Sequence, residues 1–221
     1  MAQFSKDTSG RSLAGWCEAL IVLFLGLTVA HLGVSLFLLT DLGSDPFTVM
    51  VQGIALTAGV SVGTIHVIIC TLLMVIMILT TKGYVKPGTV ICAFCGGPII
   101  DFFSWLLAPF LSGQSPMALR LLGVVLGCVI LALGMSIVIN SEAGTGPNDL
   151  VAIILTDKLE RFQFRWVRIV CDLCFLALGF ALGGVVGVGT LVAAFLVGPC
   201  VQLWLPVTKG WIPAYGQKNK K

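Results

Sequence analysis

The sequence predicts an all-α polytopic membrane protein of two tandem repeats, which we expect to be inverted, each with three transmembrane helices and one re-entrant half-helix. Composition is the first observation behind this prediction. Of the 221 residues, 57% are hydrophobic and 10% are charged, and the mean hydropathy is +1.05, which leaves too little polar surface for a soluble domain. The second observation is that residues 26–103 align without a gap on residues 127–204, at a constant offset of 101 positions.

The internal repeat is carried by glycines, prolines and other small residues as well as by apolar matches. In a membrane protein, a duplication of this size indicates two pseudo-symmetric halves that enclose a shared pathway or site. The identical pairs include Gly26 with Gly127, Gly33 with Gly134, Ser35 with Ser136, Gly43 with Gly144, Pro46 with Pro147, Cys70 with Cys171, and Gly97 with Gly198.

The first apolar run, residues 19–39, is too long for the hydrophobic region of a secretory signal, and we interpret it as a retained anchor. The polar ends are short tails. The resulting division is a cytoplasmic N-terminal tail (1–18), a first membrane repeat (19–110), a short linker (111–116), a second membrane repeat (117–208) and a basic C-terminal tail (209–221).

Five further apolar runs are long enough to cross about 30 Å of hydrocarbon, so that six spans are predicted. These runs are 62–79, 89–110, 117–140, 166–182 and 190–205. Two shorter apolar segments, 46–57 and 147–158, occupy equivalent places in the repeats. Twelve helical residues reach only about 18 Å, so these segments are predicted to enter the membrane without crossing it. Asp45 with Pro46, and Gly146 with Pro147, are residues typical of a helix start.

Whether the short segments cross decides the symmetry of the halves. Three spans per repeat make the halves inverted, whereas four make them parallel. The basic residues favour the inverted arrangement with a cytoplasmic N-terminus, because it leaves only Arg120 outside. The eight-span alternative moves Lys82 and Lys86 outside and Arg120 inside. In the inverted arrangement the cytoplasmic residues are Lys82, Lys86, Lys158, Arg161, Arg165, Lys209, Lys218, Lys220 and Lys221.

Four motifs resemble the YczE-type branch of the YczE/YyaS/YitT bacterial membrane proteins. They are D-L-G-S-D-P-F from Asp41, G-V-S-V-G-T from Gly59, G-T-V-I-C-A-F-C-G-G-P-I-I-D-F from Gly88, and A-G-T-G-P-N-D from Ala143. The resemblance implies a multi-pass protein of the bacterial inner or plasma membrane, and the charge pattern places both termini in the cytoplasm. It implies no established activity. The chain departs from the family at Ser44 and Asp45, where small residues commonly precede the proline.

The turns before the two short segments are the candidate substrate site. Half-helix N-termini inside a cavity present free N–H groups and positive dipole ends, which suit a small anion or a carboxylate. Acidic residues beside each N-terminus favour a cation or a neutral polar solute instead, and a third alternative is that the turns only break the backbone for packing. The candidate substrate-binding residues are Gly43, Ser44, Asp45, Pro46, Gly144, Thr145, Gly146, Pro147, Asn148 and Asp149.

Asp101 is the strongest candidate for coupling or gating. It follows the Gly96, Gly97, Pro98 break in the run 89–110, and its repeat partner is Gln202. An aspartate at mid-membrane costs roughly 2.5 to 3.5 kcal/mol, so it is expected to face the interior beside a partner. It either binds a proton or cation that couples to transport, or it is a hydrogen-bonded packing residue.

Four other ionisable residues are secondary candidates for coupling or gating. Asp172 and Arg168 are four positions apart on one helix face and predict a pair that is structural or functional. His31 and His66 lie in two early spans, where they predict either a proton relay or hydrogen-bonded helix contacts.

The sequence does not predict an enzyme, because it contains no H-E-x-x-H, Walker A or G-x-S-x-G motif. Both C-x-x-C pairs lie inside apolar spans, so no metal and no cofactor is predicted. The net charge of +3 comes from residues at the ends of apolar runs, which orient the chain and do not indicate nucleic acid binding.

The function predicted is that of a transporter or channel-like permease for a small polar solute. Two alternatives remain open: a non-transporting membrane factor that scaffolds or modulates a partner, and the ligand-capture subunit of an energised uptake complex. The expected partners are the lipid bilayer, an unidentified small polar solute, and a second copy of the chain or a partner membrane protein, since G-x-x-x-G pairs allow close helix contact within or between subunits.

Overall fold

The computed structural model describes residues 11–81 and 83–212, and this part of the chain forms eight helices and no strand. The predicted cytoplasmic residues Lys82, Lys218, Lys220 and Lys221 lie outside the described residues. The helices are α1 (Leu13–Thr40), α2 (Pro46–Ala58), α3 (Val62–Thr80), α4 (Pro87–Leu107), α5 (Met117–Ser141), α6 (Pro147–Lys158), α7 (Phe164–Ala181) and α8 (Val188–Trp211).

Five of the described helices are long and apolar enough to cross a membrane: α1, α3, α4, α5 and α8. Their outward faces carry exposed apolar side chains such as Leu72 and Phe195, which is the arrangement expected where lipid is the solvent. The sixth predicted span corresponds to α7, which has 18 residues and includes three charged ones, Arg165, Arg168 and Asp172. Its crossing therefore stays a prediction.

Several helix ends differ from those predicted. α1 begins at Leu13, within the predicted N-terminal tail, because the Ser12 hydroxyl caps the helix by accepting from the Gly15 N–H at 3.2 Å. α8 continues to Trp211 and so includes the start of the predicted C-terminal tail. α4 runs unbroken through Pro98, so the expected break in this helix is absent.

The centre of the molecule is a close contact between α1 and α5. A Cβ atom added to Gly33 would lie 2.6 Å from the backbone nitrogen of Leu131, and one added to Gly26 would lie 2.9 Å from that of Val138. These glycines therefore permit backbone contact that a larger residue would prevent. Residue numbers at the contact increase along α1 while they decrease along α5, which shows that these two helices are antiparallel.

A serine hydrogen bond occurs at equivalent places in the two halves. The Ser35 hydroxyl donates to the carbonyl of Ile100 at 3.1 Å, and the Ser136 hydroxyl donates to the carbonyl of Val201 at 3.3 Å. Both pairs are separated by 65 positions and related by the offset of 101. The same contact thus joins α1 to α4 and α5 to α8.

Backbone hydrogen bonds also connect each half to the other. The Gly189 N–H donates to the carbonyl of Leu42 at 2.8 Å, and the Gly88 N–H donates to the carbonyl of Ala143 at 3.0 Å. The turn after α1 is thereby attached to the start of α8, and the turn after α5 to the start of α4. These contacts are again equivalent at the offset of 101.

An arginine side chain lies at the C-terminal end of each central helix. Arg120 donates from Nε to the carbonyl of Thr40 at 2.6 Å and from Nη2 to that of Asp41 at 3.0 Å. At the opposite end, Arg11 lies 3.5 Å from the carbonyl of Ser141 and 3.6 Å from the carboxylate of Glu142. A positive charge stabilises the negative end of a helix dipole, so both arginines act as C-terminal caps.

The two ends of the molecule differ in charge. We call the end that contains Arg11, Lys86 and Lys158 the basic end, and the end that contains Arg120 the Arg120 end. At the basic end, the Tyr84 hydroxyl donates to Asp157 at 2.8 Å and attaches the end of α6 to the loop before α4. Burial lowers the pKa of the Lys86 ammonium, and the neighbouring Glu142 charge acts in the opposite direction.

Candidate functional site

A cavity of about 160 Å³ lies between α1 and α5 and the N-terminal ends of α2 and α6. Most of its wall is apolar and comes from side chains of the central helices, such as Leu27, Val34 and Leu131. Nine of the predicted site residues line it: His31, Asp45, His66, Thr145, Gly146, Pro147, Asn148, Asp149 and Arg168.

The other predicted site residues do not line the cavity. Gly43 and Gly144 have positive φ angles of 101° and 146°, and their backbones lie against the starts of α8 and α4. They form the turns that lead into the site, because a residue with a Cβ atom is strained there. Ser44 is buried beside Gly43, and the remaining residues outside the cavity lining are Pro46, Asp101, Asp172 and Gln202.

Asp45 caps the N-terminus of α2. Its Oδ1 accepts from the Thr48 N–H at 3.2 Å, and its Oδ2 accepts from the Ser44 hydroxyl at 3.3 Å. Pro46 takes the first helical position, where its missing N–H is not needed. The carboxylate therefore occupies the place at which a bare helix start would bind an anion.

α6 begins differently from α2. Its N-cap residue, Gly146, supplies no side-chain hydrogen bond, and the acidic residue lies in the first turn at Asp149. The Thr145 hydroxyl and the Asn148 amide lie 3.4 Å and 3.3 Å from the Asp149 carboxylate. Both half-helix starts thus present a carboxylate to the cavity, from slightly different positions.

Arg168 holds two carboxylates together. Its Nη1 lies 2.6 Å from Oδ1 of Asp149, and its Nε lies 3.1 Å from Oδ2 of Asp172. The pair with Asp172 is the one expected from a spacing of four positions. The contact with Asp149 spans 19 positions, and no local sequence pattern indicates it.

The charges around the cavity are predominantly negative. Asp45 and Asp149 line it together with a single cation, Arg168, and Asp172 shares that cation from just outside the lining. When all these groups are ionised, the site carries more negative than positive charge. Charges within the membrane are costly, so this cluster is a candidate functional position.

Two buried imidazoles meet at the wall of the cavity. The rings of His31 and His66 lie edge to face with centroids 5.2 Å apart, and each residue is 9% exposed. His31 Nδ1 lies 2.8 Å from the carbonyl of Leu27, which can only accept, so Nδ1 carries a hydrogen, and in the neutral ring Nε2 is an acceptor. His66 Nε2 lies 3.5 Å from the Cys70 sulfur.

Gly96 is a site residue that the sequence reasoning did not single out for this role. A Cβ atom at this position would lie 2.7 Å from Nε2 of His66 and 2.8 Å from Nε2 of His31. The glycine therefore makes room for both imidazoles against α4. Phe47 also lines the cavity and packs edge to face on His66, at 5.7 Å between ring centroids.

Asp101 lies outside the cavity and has its own partners. Its carboxylate accepts from the Ser61 hydroxyl at 2.6 Å and from the Gly63 N–H at 2.9 Å, so it attaches α4 to the start of α3. Gln202 is exposed on α8. The coupling role of these two residues stays a prediction, and the geometry does not bring them to the site.

Comparisons with known proteins agree with the resemblance expected from the motifs. A model of a family of unknown function, DUF6198, matches residues 17–206. The uncharacterized membrane protein YczE of Bacillus subtilis (strain 168) is 29% identical over 184 residues, which are 83% of this chain and 83% of that protein. The uncharacterized protein YyaS of the same strain is 27% identical over 186 residues, 84% of this chain and 91% of its own.

An uncharacterized protein of Haemophilus influenzae is 26% identical over 191 residues, which cover 86% of this chain and 84% of that protein. The prediction of a YczE-like membrane protein is thereby confirmed. No solved structure matches the chain.

Proposed function

The chain belongs to the DUF6198 family and is similar to the membrane protein YczE, and we propose that it is a transporter or channel-like permease that moves a small polar solute through the central cavity. The observation that carries this proposal is the cavity itself, which lies between two half-helix starts that each bring a carboxylate to it. Solute sites of this construction are typical of secondary transporters. We assign no catalytic residue to the chain.

Inverted halves are part of the proposal. The antiparallel contact of α1 with α5 supports it, because these helices occupy the same place in the two repeats. The serine and turn hydrogen bonds that recur at the offset of 101 support it as well. A two-fold axis in the membrane plane relates such halves, and exchange of their conformations opens the site to one side or the other.

Re-entrant half-helices are the second structural part of the proposal. α2 has 13 residues and spans about 20 Å at 1.5 Å per residue, too little to cross. Its start is at the cavity, where Phe47 meets His66, and its end is attached to α7 by the Thr57 hydroxyl, which lies 3.2 Å from the carbonyl of Leu182. α6 has 12 residues and ends at the basic end.

The orientation in the membrane follows from the charges. Arg11, Lys86 and Lys158 lie at the basic end, which we place in the cytoplasm by the positive-inside rule. Arg120 lies at the opposite end, where its charge caps α1. We therefore propose that both termini of the chain lie in the cytoplasm and that the membrane is the bacterial plasma membrane.

The proposal is tested by measuring solute flux into proteoliposomes that contain the purified protein. Osmotic swelling is followed for neutral, cationic and anionic solutes of up to about ten heavy atoms, a size that suits a cavity of about 160 Å³. Ile139→Trp fills the cavity, since Ile139 lines it, and it is expected to abolish flux. Ile76→Trp is the matched control, because Ile76 is 47% exposed on α3, and it is expected to retain flux.

Flux that disappears in Ile139→Trp alone supports transport through the cavity. Absence of flux for every solute, with the protein still folded, contradicts it. Binding of a solute to the purified protein without flux is the result expected of a capture subunit. Absence of both binding and flux is the result expected of a factor that modulates a partner.

A further inference from the structure

We infer that the cavity selects small organic cations with N–H donors, such as a primary ammonium on a short carbon chain, and that Asp45 is the counter-ion. This inference rests on the proposed function in so far as the cavity is the solute site. It adds the charge and the chemical class of the solute.

The first step is the charge of Asp45. Within the described residues, side-chain ion pairs join Arg11 with Glu142 and join Arg168 with two aspartates, and none of them includes Asp45. The partners of its carboxylate are the neutral Ser44 hydroxyl and the Thr48 N–H. A carboxylate at a membrane cavity without a cationic side chain is stabilised by a cation from outside the chain.

The second, independent step is the acceptor on His31. Its Nδ1–H donates to the carbonyl of Leu27, so in the neutral ring Nε2 is an acceptor, and no described residue donates a hydrogen bond to it. His31 is only 9% exposed, and it lines the same cavity as Asp45. An ammonium carries three N–H donors, so it can bind a carboxylate and an imidazole nitrogen at once. A simple carboxylate such as pentanoate has no donor to offer this nitrogen.

The third step is the apolar wall. Leu27, Ala30, Val34 and Leu131 leave no polar partner for the far side of a bound molecule. A hydrated metal cation keeps waters that need such partners, whereas a carbon chain does not. A cavity of about 160 Å³ is close to the size of an engineered cavity that holds benzene, so a solute with about six to eight heavy atoms is expected to fit.

Arg168 does not cancel this preference. Its guanidinium is shared by Asp149 and Asp172 at 2.6 Å and 3.1 Å, so its charge is already balanced by nearby carboxylates. The second half of the site thus contains its own cation, and the first half has none. The pseudo-symmetric starts of α2 and α6 differ in this respect, which predicts that a single monovalent cation binds on the Asp45 side.

The test compares four probes of nearly equal size on the purified protein by isothermal titration calorimetry. The probes are n-pentylammonium, n-pentanol, pentanoate and ethyltrimethylammonium. We expect n-pentylammonium to bind at least tenfold more tightly than each of the others. Asp45→Asn is expected to remove at least tenfold of that affinity, and Glu160→Gln, an exposed acidic residue between α6 and α7, is expected to leave it unchanged.

Equal binding of n-pentanol, or tighter binding of pentanoate, overturns the inferred charge. Equal binding of ethyltrimethylammonium, which has no N–H group, overturns the role of the donors. These comparisons use the unaltered protein, so they decide the inference even when Asp45→Asn does not fold.

The same probes in the flux assay separate this inference from the proposed function. Binding of n-pentylammonium without flux supports the solute class and contradicts transport. Flux of neutral solutes without binding of n-pentylammonium supports transport and overturns the solute class.

Discussion

At the scale of single residues, close packing or a second structural role limits which side chains each position of the site can accept. The imidazoles of His31 and His66 occupy the space that a side chain at Gly96 would fill, and Asp45 serves as both a helix cap and a cavity carboxylate. A residue with two such roles is constrained by both. Replacement of the residues around it is therefore expected to change folding and solute binding together.

Gly96→Ala is expected to destabilise the protein by about 1–3 kcal/mol, because the new methyl group overlaps both imidazoles and closely packed interiors tolerate such additions poorly. Thermal melting of the purified protein in detergent measures the effect. Gly198→Ala is the matched control, since a Cβ atom there has no neighbour within 4 Å. Equal stability of Gly96→Ala and the unaltered protein would show that the two imidazoles do not pack against α4 as described.

At the scale of helices, residues at the helix ends determine where each helix stops and the next one starts. Each half-helix starts with a proline, each central helix ends beside an arginine, and each turn between them contains a glycine with a positive φ angle. These features stop one helix and start the next within a few residues. They are the reason that α2 and α6 begin beside the cavity.

Arg120→Gln is expected to lower stability by about 1 kcal/mol, because it removes the charge that caps the C-terminal end of α1. It is expected not to alter the orientation of the protein, which depends on the basic end. Thermal melting and side-specific labelling check the two statements. Arg161→Gln, at an exposed position before α7, is the control and is expected to be nearly neutral. A reversed orientation in Arg120→Gln would mean that this residue is a topological signal.

At the scale of the whole molecule, the two halves are joined closely. α1 lies against α5, and a carbonyl in the turn of each half accepts a hydrogen bond from a backbone N–H at a helix start of the other. The cavity is formed by residues of both halves. It is therefore a property of the assembled pair, and neither half contains it alone.

The inverted arrangement predicts which side of the membrane three exposed positions occupy. Single cysteines are placed by Asp41→Cys, Val60→Cys and Arg161→Cys in a variant without the eight native cysteines, and an impermeant thiol reagent is applied from each side. Asp41 and Val60 flank α2 and are expected to label from one side because α2 re-enters. Arg161, the repeat equivalent of Val60, is expected to label from the other side.

Labelling of Asp41→Cys and Val60→Cys from opposite sides would show that α2 crosses the membrane. Labelling of Val60→Cys and Arg161→Cys from the same side would show that the halves are parallel. Either result removes the two-fold axis on which the proposed transport depends.

The membrane class and most helix positions follow from the amino-acid sequence alone, because both depend on properties of neighbouring residues. Apolar runs of sufficient length set the spans, and Asp45 with Pro46 sets the start of α2 by local capping. The start of α1 at Leu13 and the continuation of α4 through Pro98 are features that composition did not indicate, because a local cap or continued packing decides them.

Packing between distant parts of the chain decides which residues form the site. Asp149 pairs with Arg168, 19 positions away, and His31 packs with His66 against Gly96. Asp101 instead forms a hydrogen bond at the start of α3, outside the cavity. Each side chain has many sterically allowed partners in an extended chain, and only the antiparallel contact of α1 with α5 brings a particular set together. Composition and spacing carry local preferences, whereas a cavity requires the folded arrangement of both halves.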